Sequence, residues 1–215
     1  MLEEVPDREP GGDRDDTDPG GARPDRAGFV RGALLFYGML GCVALVWRMA
    51  TPGESILHPS GRPASFDGLG GALIAGLVFG LVSLGISEAL SRFSTLGEAL
   101  SDALGESVAG ISVGDGILLA FASGIAEEMF FRGALQPAIG LVWASLLFGA
   151  CHFLPKKELA VWSVWAAAMG FAFGWLFEAT GHLVAPIAAH VLVNAVNLPR
   201  LARRAEERAA AARSD

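Results

Sequence analysis

Five polar side chains and one arginine stand in runs that are otherwise apolar enough to cross a bilayer. Glu127 and Glu128 adjoin, with Arg132 four residues on; His152 closes a second run; His190 and Asn194, also four apart, lie in a third. A charged group at the bilayer centre costs about 2.5–3.5 kcal/mol on insertion scales, so it persists where it faces a protein interior and serves a purpose there. On a helix Glu128 and Arg132 share a face and can pair across one turn. Glu127 points about 100° away from Glu128. One carboxylate can then be neutralised by the arginine while the other is presented to a cavity. A carboxylate and an imidazole on facing helices can hold and deprotonate a water that attacks an amide carbonyl. A second histidine and an asparagine can donate hydrogen bonds to the resulting oxyanion.

Each feature also has a plainer explanation. Glu128 with Arg132 reads equally well as a structural ion pair beside a spare glutamate. A lone histidine near a helix end is more often an interfacial hydrogen-bonder, and His182 is read that way. The whole set is hard to explain as packing. In lipid each member needs a polar partner, and the simplest solution is that they partner one another.

Other chemistries find less support. There is no GxSxG elbow, Ser145 and Ser163 have no base in their own runs, and no HExxH occurs. A Glu/His/His metal set remains geometrically open, but no cofactor is called for. Cys42 and Cys151 lie inside apolar runs and suit neither a disulfide nor a CxxC site. Cys151, although beside His152, reads as a small packing residue rather than a nucleophile.

The elements that must position these groups follow from hydropathy. The 215-residue chain is 52% hydrophobic and only 18% charged, against about one quarter charged in soluble domains. Its charges gather at the ends. Residues 1–28 hold nine acidic and four basic side chains, and the last sixteen residues hold five arginines. The net charge of −7 therefore belongs mostly to the N-terminal tail and implies no nucleic-acid partner. That tail, 1–28, has almost no large apolar residue and is expected to stay disordered; it does not read as a signal peptide.

The fold class expected is an all-α, polytopic transmembrane bundle of about six spans over residues 29–198, followed by a basic tail, 199–215. The spans are drawn at about 29–50, 69–90, 111–135, 137–154, 159–180 and 183–198, the fourth and sixth being short for a bilayer. Residues 92–108 are expected to form an interfacial amphipathic helix, and Pro52–Asp67 a Pro/Gly-rich loop. With the turn drawn between Leu135 and Pro137, Glu127 and His152 fall at unequal depths. Basic residues favour both termini on the cytoplasmic side. The Ala, Gly and Arg bias suggests a bacterial cytoplasmic membrane.

The three motifs, EExxxR (Glu127, Glu128, Arg132), FxxxH (Phe148, His152) and HxxxN (His190, Asn194), resemble those of the CAAX protease and bacteriocin-processing (CPBP, or ABI) family of intramembrane glutamic-type proteases. Gly170-Phe171 through Gly181 and Ala185-Pro186-Ile187 also resemble that family, so the likeness spans about 115–198. The resemblance implies a helical membrane hydrolase. In it Glu127, Glu128 and His152 activate water, His190 and Asn194 form the oxyanion hole, Arg132 serves as a structural ion pair and Phe148 supports the motif. The implied partners are the lipid bilayer and a hydrophobic or membrane-associated peptide substrate. Alternatives are a non-enzymatic scaffold, immunity or regulatory protein that keeps the protease fold, and a metal-dependent protease using the same residues. An ion or solute relay would call for inverted repeats or broken helices, which are not evident.

Overall fold

The computed structural model describes residues 26–51, 55–57, 68–153 and 157–214. Among these residues every regular element is helical: α1 (Arg26–Met49), α2 (Leu69–Phe93), α3 (Thr95–Ser107), α4 (Val113–Glu128), a π-helical segment (Met129–Leu135), α5 (Gln136–Ile139), α6 (Leu141–Cys151), α7 (Lys157–Thr180) and α8 (Val184–Ala211). The acidic tail lies outside the described residues up to position 25, and α1 begins at Arg26, slightly ahead of the expected boundary. Most of the expected 52–67 loop also lies outside them.

Among the described residues four helices are long and apolar enough to cross a membrane: α1, α2, α7 from Ala160, and α8. Lipid-facing character shows on α1, which exposes Leu35, Phe36, Met39, Val43 and Val46, and on α2, which exposes Ile74, Val78, Leu81 and Val82. The other two expected spans take different forms. The third is α4, the π-helical segment and α5 end to end, with right-handed helical dihedrals at each junction. The fourth, α6, has 11 residues, about half the length a spanning helix needs. Within the expected 92–108 stretch a helix does form, α3 (Thr95–Ser107), entered through Ser94, whose hydroxyl accepts the Gly97 N–H; residues 92 and 93 still belong to α2.

Two boundaries differ from expectation, each for a physical reason. The turn after the carboxylates falls at Gly140, whose φ of 84° suits a residue without Cβ, and not between Leu135 and Pro137. Pro137 sits in the first turn of α5, where a missing N–H costs least. Gly140 lies nearly midway in sequence between Glu127 and His152, so the two reach the same depth on neighbouring antiparallel helices. The last helix also continues past Leu198 through Pro199 to Ala211. Glycine at 116 makes room for the Pro199 ring, since a Cβ there would lie 3.0 Å from its Cγ.

Small residues let the helices close around the polar groups. A Cβ on Gly124 of α4 would lie 2.7 Å from Val191 of α8, and one on Gly149 of α6 would lie 2.6 Å from Ala167 of α7. Phe131, Leu135, Ala144, Phe148 and Ala166 form one apolar cluster beside the site. Ala72, Phe173, Leu176, Ala185 and Ala189 form another on its far side.

Candidate functional site

The π-helical segment starts directly after Glu128. π-Helical turns inside α-helices are uncommon and often mark functional sites. Glu128 and Arg132 pair across this junction, Arg132 Nη1 donating to Glu128 Oε1 at 3.0 Å, with side chains 0% and 2% exposed. Arg132 Nη2 donates to the Gly170 carbonyl of α7 at 3.0 Å. One turn on, Gln136 Nε2 donates to the Gly174 carbonyl and to Glu178, each at 3.2 Å. These two rungs tie the rod to α7. The guanidinium carbon lies 4.5 Å from the Phe148 ring centroid, 5.6 Å from that of Phe173 and 5.9 Å from that of Phe131. Aromatic faces attract a desolvated cation, so Arg132 has ionic, carbonyl and π partners at once.

Phe148 supports His152 as well as Arg132. Its carbonyl accepts from His152 Nδ1 at 2.7 Å, and the two rings lie 4.5 Å apart, inclined by 38°. Trp162 meets the His152 ring edge-on at 5.8 Å. His190 Nδ1 donates to Glu128 Oε1 at 2.7 Å, and its ring stacks on Phe173 at 5.2 Å.

These partners assign the tautomers. A carbonyl or carboxylate oxygen can only accept, so Nδ1 carries the hydrogen in both rings. In the neutral imidazole, Nε2 then presents a lone pair. His152 Nε2 lies 3.9 Å and His190 Nε2 4.0 Å from the same atom, Glu127 Oε2. That oxygen is buried and has no hydrogen-bond partner among the described residues. Three acceptor atoms from α4, α6 and α8 therefore face one another across gaps too wide for direct hydrogen bonds.

Glu127, Glu128, Arg132, Phe148, His152 and His190 thus assemble as one cluster. Asn194 stands one turn further along α8, where its Nδ2 donates to Ser123 Oγ at 3.0 Å. Ser123 is a contributor that sequence reasoning missed, although its position four residues before Glu127 on the same helix was a usable signal. Gln136 had a comparable signal, four residues after Arg132. Tyr37, on α1, approaches the Glu127 carboxylate, and nothing in its sequence surroundings marks it. His182 bonds through its backbone to Thr180, apart from the cluster.

Residues 109–196 match the family model described as Rce1-like, the type II CAAX prenyl endopeptidases. Over this segment the chain is similar to the Rce1-like domain. The Bacillus subtilis (strain 168) protein YpbD, described as uncharacterized, is 44% identical over 82 residues, which is 37% of this chain and 40% of that one. The likeness thus spans under half of either protein. No solved structure matches the chain. The Rce1-like segment contains all three motifs, whereas α1, α2 and α3 lie outside it.

Proposed function

We propose that the protein is an intramembrane endopeptidase that hydrolyses a peptide bond with a water activated by Glu127 and His152. The observation that carries this reading is the convergence of Glu127 Oε2 with two imidazole Nε2 atoms. Three facing acceptors are satisfied by a guest bearing O–H bonds, and a water has two to give. Held there, the water loses a proton to Glu127 or His152 as its oxygen attacks the carbonyl carbon. The same proton is then delivered to the leaving amine nitrogen, a relay worth about 10²–10⁴-fold in rate.

Glu128 acts one step back. It fixes His190 through Nδ1 while its charge is matched by Arg132. The oxyanion is assigned to the His190 and Asn194 side, where His190 donates from Nε2 only once its ring has taken up a proton. Asn194 is oriented by Ser123 through one amide hydrogen, and its second N–H remains to donate. The substrate class is a hydrophobic or membrane-associated peptide, consistent with a site walled by Phe148, Phe173 and Trp162. The rod from α4 to α5 and the short α6 would complete six passes in a bacterial cytoplasmic membrane, with both termini cytoplasmic.

The test is cleavage of a quenched hydrophobic peptide library by detergent-purified protein, comparing wild type, His152→Ala and chelator-treated samples. Loss in the variant but not with chelator is expected. Loss with chelator would move the same residues to a metal-dependent mechanism. Full cleavage by the variant would remove His152 from the mechanism, and no cleavage by folded wild type would favour the non-enzymatic scaffold reading.

A further inference from the structure

Glu127 poses a problem that its own domain does not solve. Glu128 has Arg132 and His190 as donors, whereas the Rce1-like segment brings two imidazole lone pairs to Glu127 Oε2, which has no hydrogen-bond partner among the described residues. Acceptors do not orient an acceptor. A carboxylate meant to face both histidines at once needs a donor from elsewhere to fix its rotamer.

The first helix brings one. α1 packs along α4 and the π-helical segment: a Cβ on Gly41 would lie 3.9 Å from the Ala126 Cβ, and Trp47 meets Phe130 edge-on at 6.2 Å. Tyr37 lies one turn before Gly41, hence on the same face of α1. It is half-buried on the face of α1 whose Val30 and Leu34 pack with Leu119 of α4, and the Glu127 carboxylate stands within electrostatic reach of its hydroxyl. It is also the chain's one tyrosine. A phenol donates a single hydrogen at the end of a rigid ring with two torsions, so it can hold a carboxylate at low entropic cost.

We infer that Tyr37 is a positioning residue for Glu127, donating to its carboxylate from α1 so that Oε2 is aimed between His152 and His190. The inference deepens the hydrolase reading and rests on it for its purpose, but the contact itself is independent of any substrate. It also means that the site is incomplete within residues 109–196, because the donor lies outside that segment.

A lone tyrosine makes the contact directly observable. Protein carrying ¹³Cζ-tyrosine in detergent micelles gives one Tyr37 resonance. Glu127→Gln, which replaces a charged acceptor by a neutral one of equal size, is expected to move it, and Glu98→Gln on α3 is expected to leave it in place. An unmoved resonance in Glu127→Gln overturns the contact. The positioning role is read on ¹⁵N-histidine protein. Tyr37→Phe is expected to shift the ring nitrogens of His152 and His190 while those of His182 stay fixed. If the His152 and His190 signals do not move, Tyr37 only packs and the inference fails. Neither readout needs cleavage, so a protein that cuts nothing can still carry the Tyr37–Glu127 bond, and one that cuts can lack it.

Discussion

Two regions of this protein use the same ionic vocabulary at opposite ends of the burial scale. In the interior, Arg132 and Glu128 are 2% and 0% exposed and are joined by His190, the Gly170 carbonyl and three aromatic rings. At the base, Arg204 and Arg208 of α8 both reach Glu98 and Asp102 of α3, with the arginines 34% and 54% exposed. Spacing does not distinguish them, since both are built from residues four apart. Burial does. The interior pair has no water to fall back on, so every partner is needed. At the base two arginines share two carboxylates, and either can cover for the other. The interior arrangement gains specificity at the expense of tolerance, while the basal one fastens α3 to α8 and tolerates loss.

Arg132→Met should separate the two regions most sharply, since removing one partner of a buried ion pair leaves the other uncompensated. A stability loss of about 3–5 kcal/mol, read by SDS-unfolding titration from dodecylmaltoside micelles, is expected; a loss below 1 kcal/mol would place the pair with the basal clamp. Gly149→Ala comes next. It adds a methyl group 2.7 Å from the Ser163 carbonyl oxygen, and overpacking of this kind costs about 1–3 kcal/mol. Because Gly149 stands three residues before His152, cleavage is expected to fall with stability. Arg204→Ala should have the smallest effect, about 0.2–1 kcal/mol and shrinking as salt is raised. A large, salt-independent loss would show that the clamp behaves as an interior pair.

The same contrast explains what the sequence made legible. Glu127, Glu128, Arg132, His152 and His190 stood out because polar groups in such apolar runs are expensive and so seldom accidental. Their assembly from three helices was readable before any distance was known. Helix ends were harder. Pro137 and Pro199 look like stops, yet the first sits in an opening turn where its missing N–H is harmless, and the second fits against Gly116. The π-helical segment has no periodic signature in the runs that encode it. Asn194 was found, but its bond to Ser123 was not, because the expected role was chemical and the observed bond is to a neighbouring helix. Tyr37 was invisible for a deeper reason: its link to Glu127 spans the whole α1–α4 interval, and pairing at that range follows from packing rather than pattern.

The central claim is that Glu127 is the base on which hydrolysis depends, and the most direct test is Glu127→Gln. The substitution keeps the side chain's size and leaves the Glu128–Arg132–His190 bonds in place. With protein reconstituted in liposomes and a peptide that wild type cuts, an unchanged unfolding midpoint and a fall in cleavage rate of about 10²–10⁴-fold are expected. Cleavage within about twofold of wild type would contradict the claim.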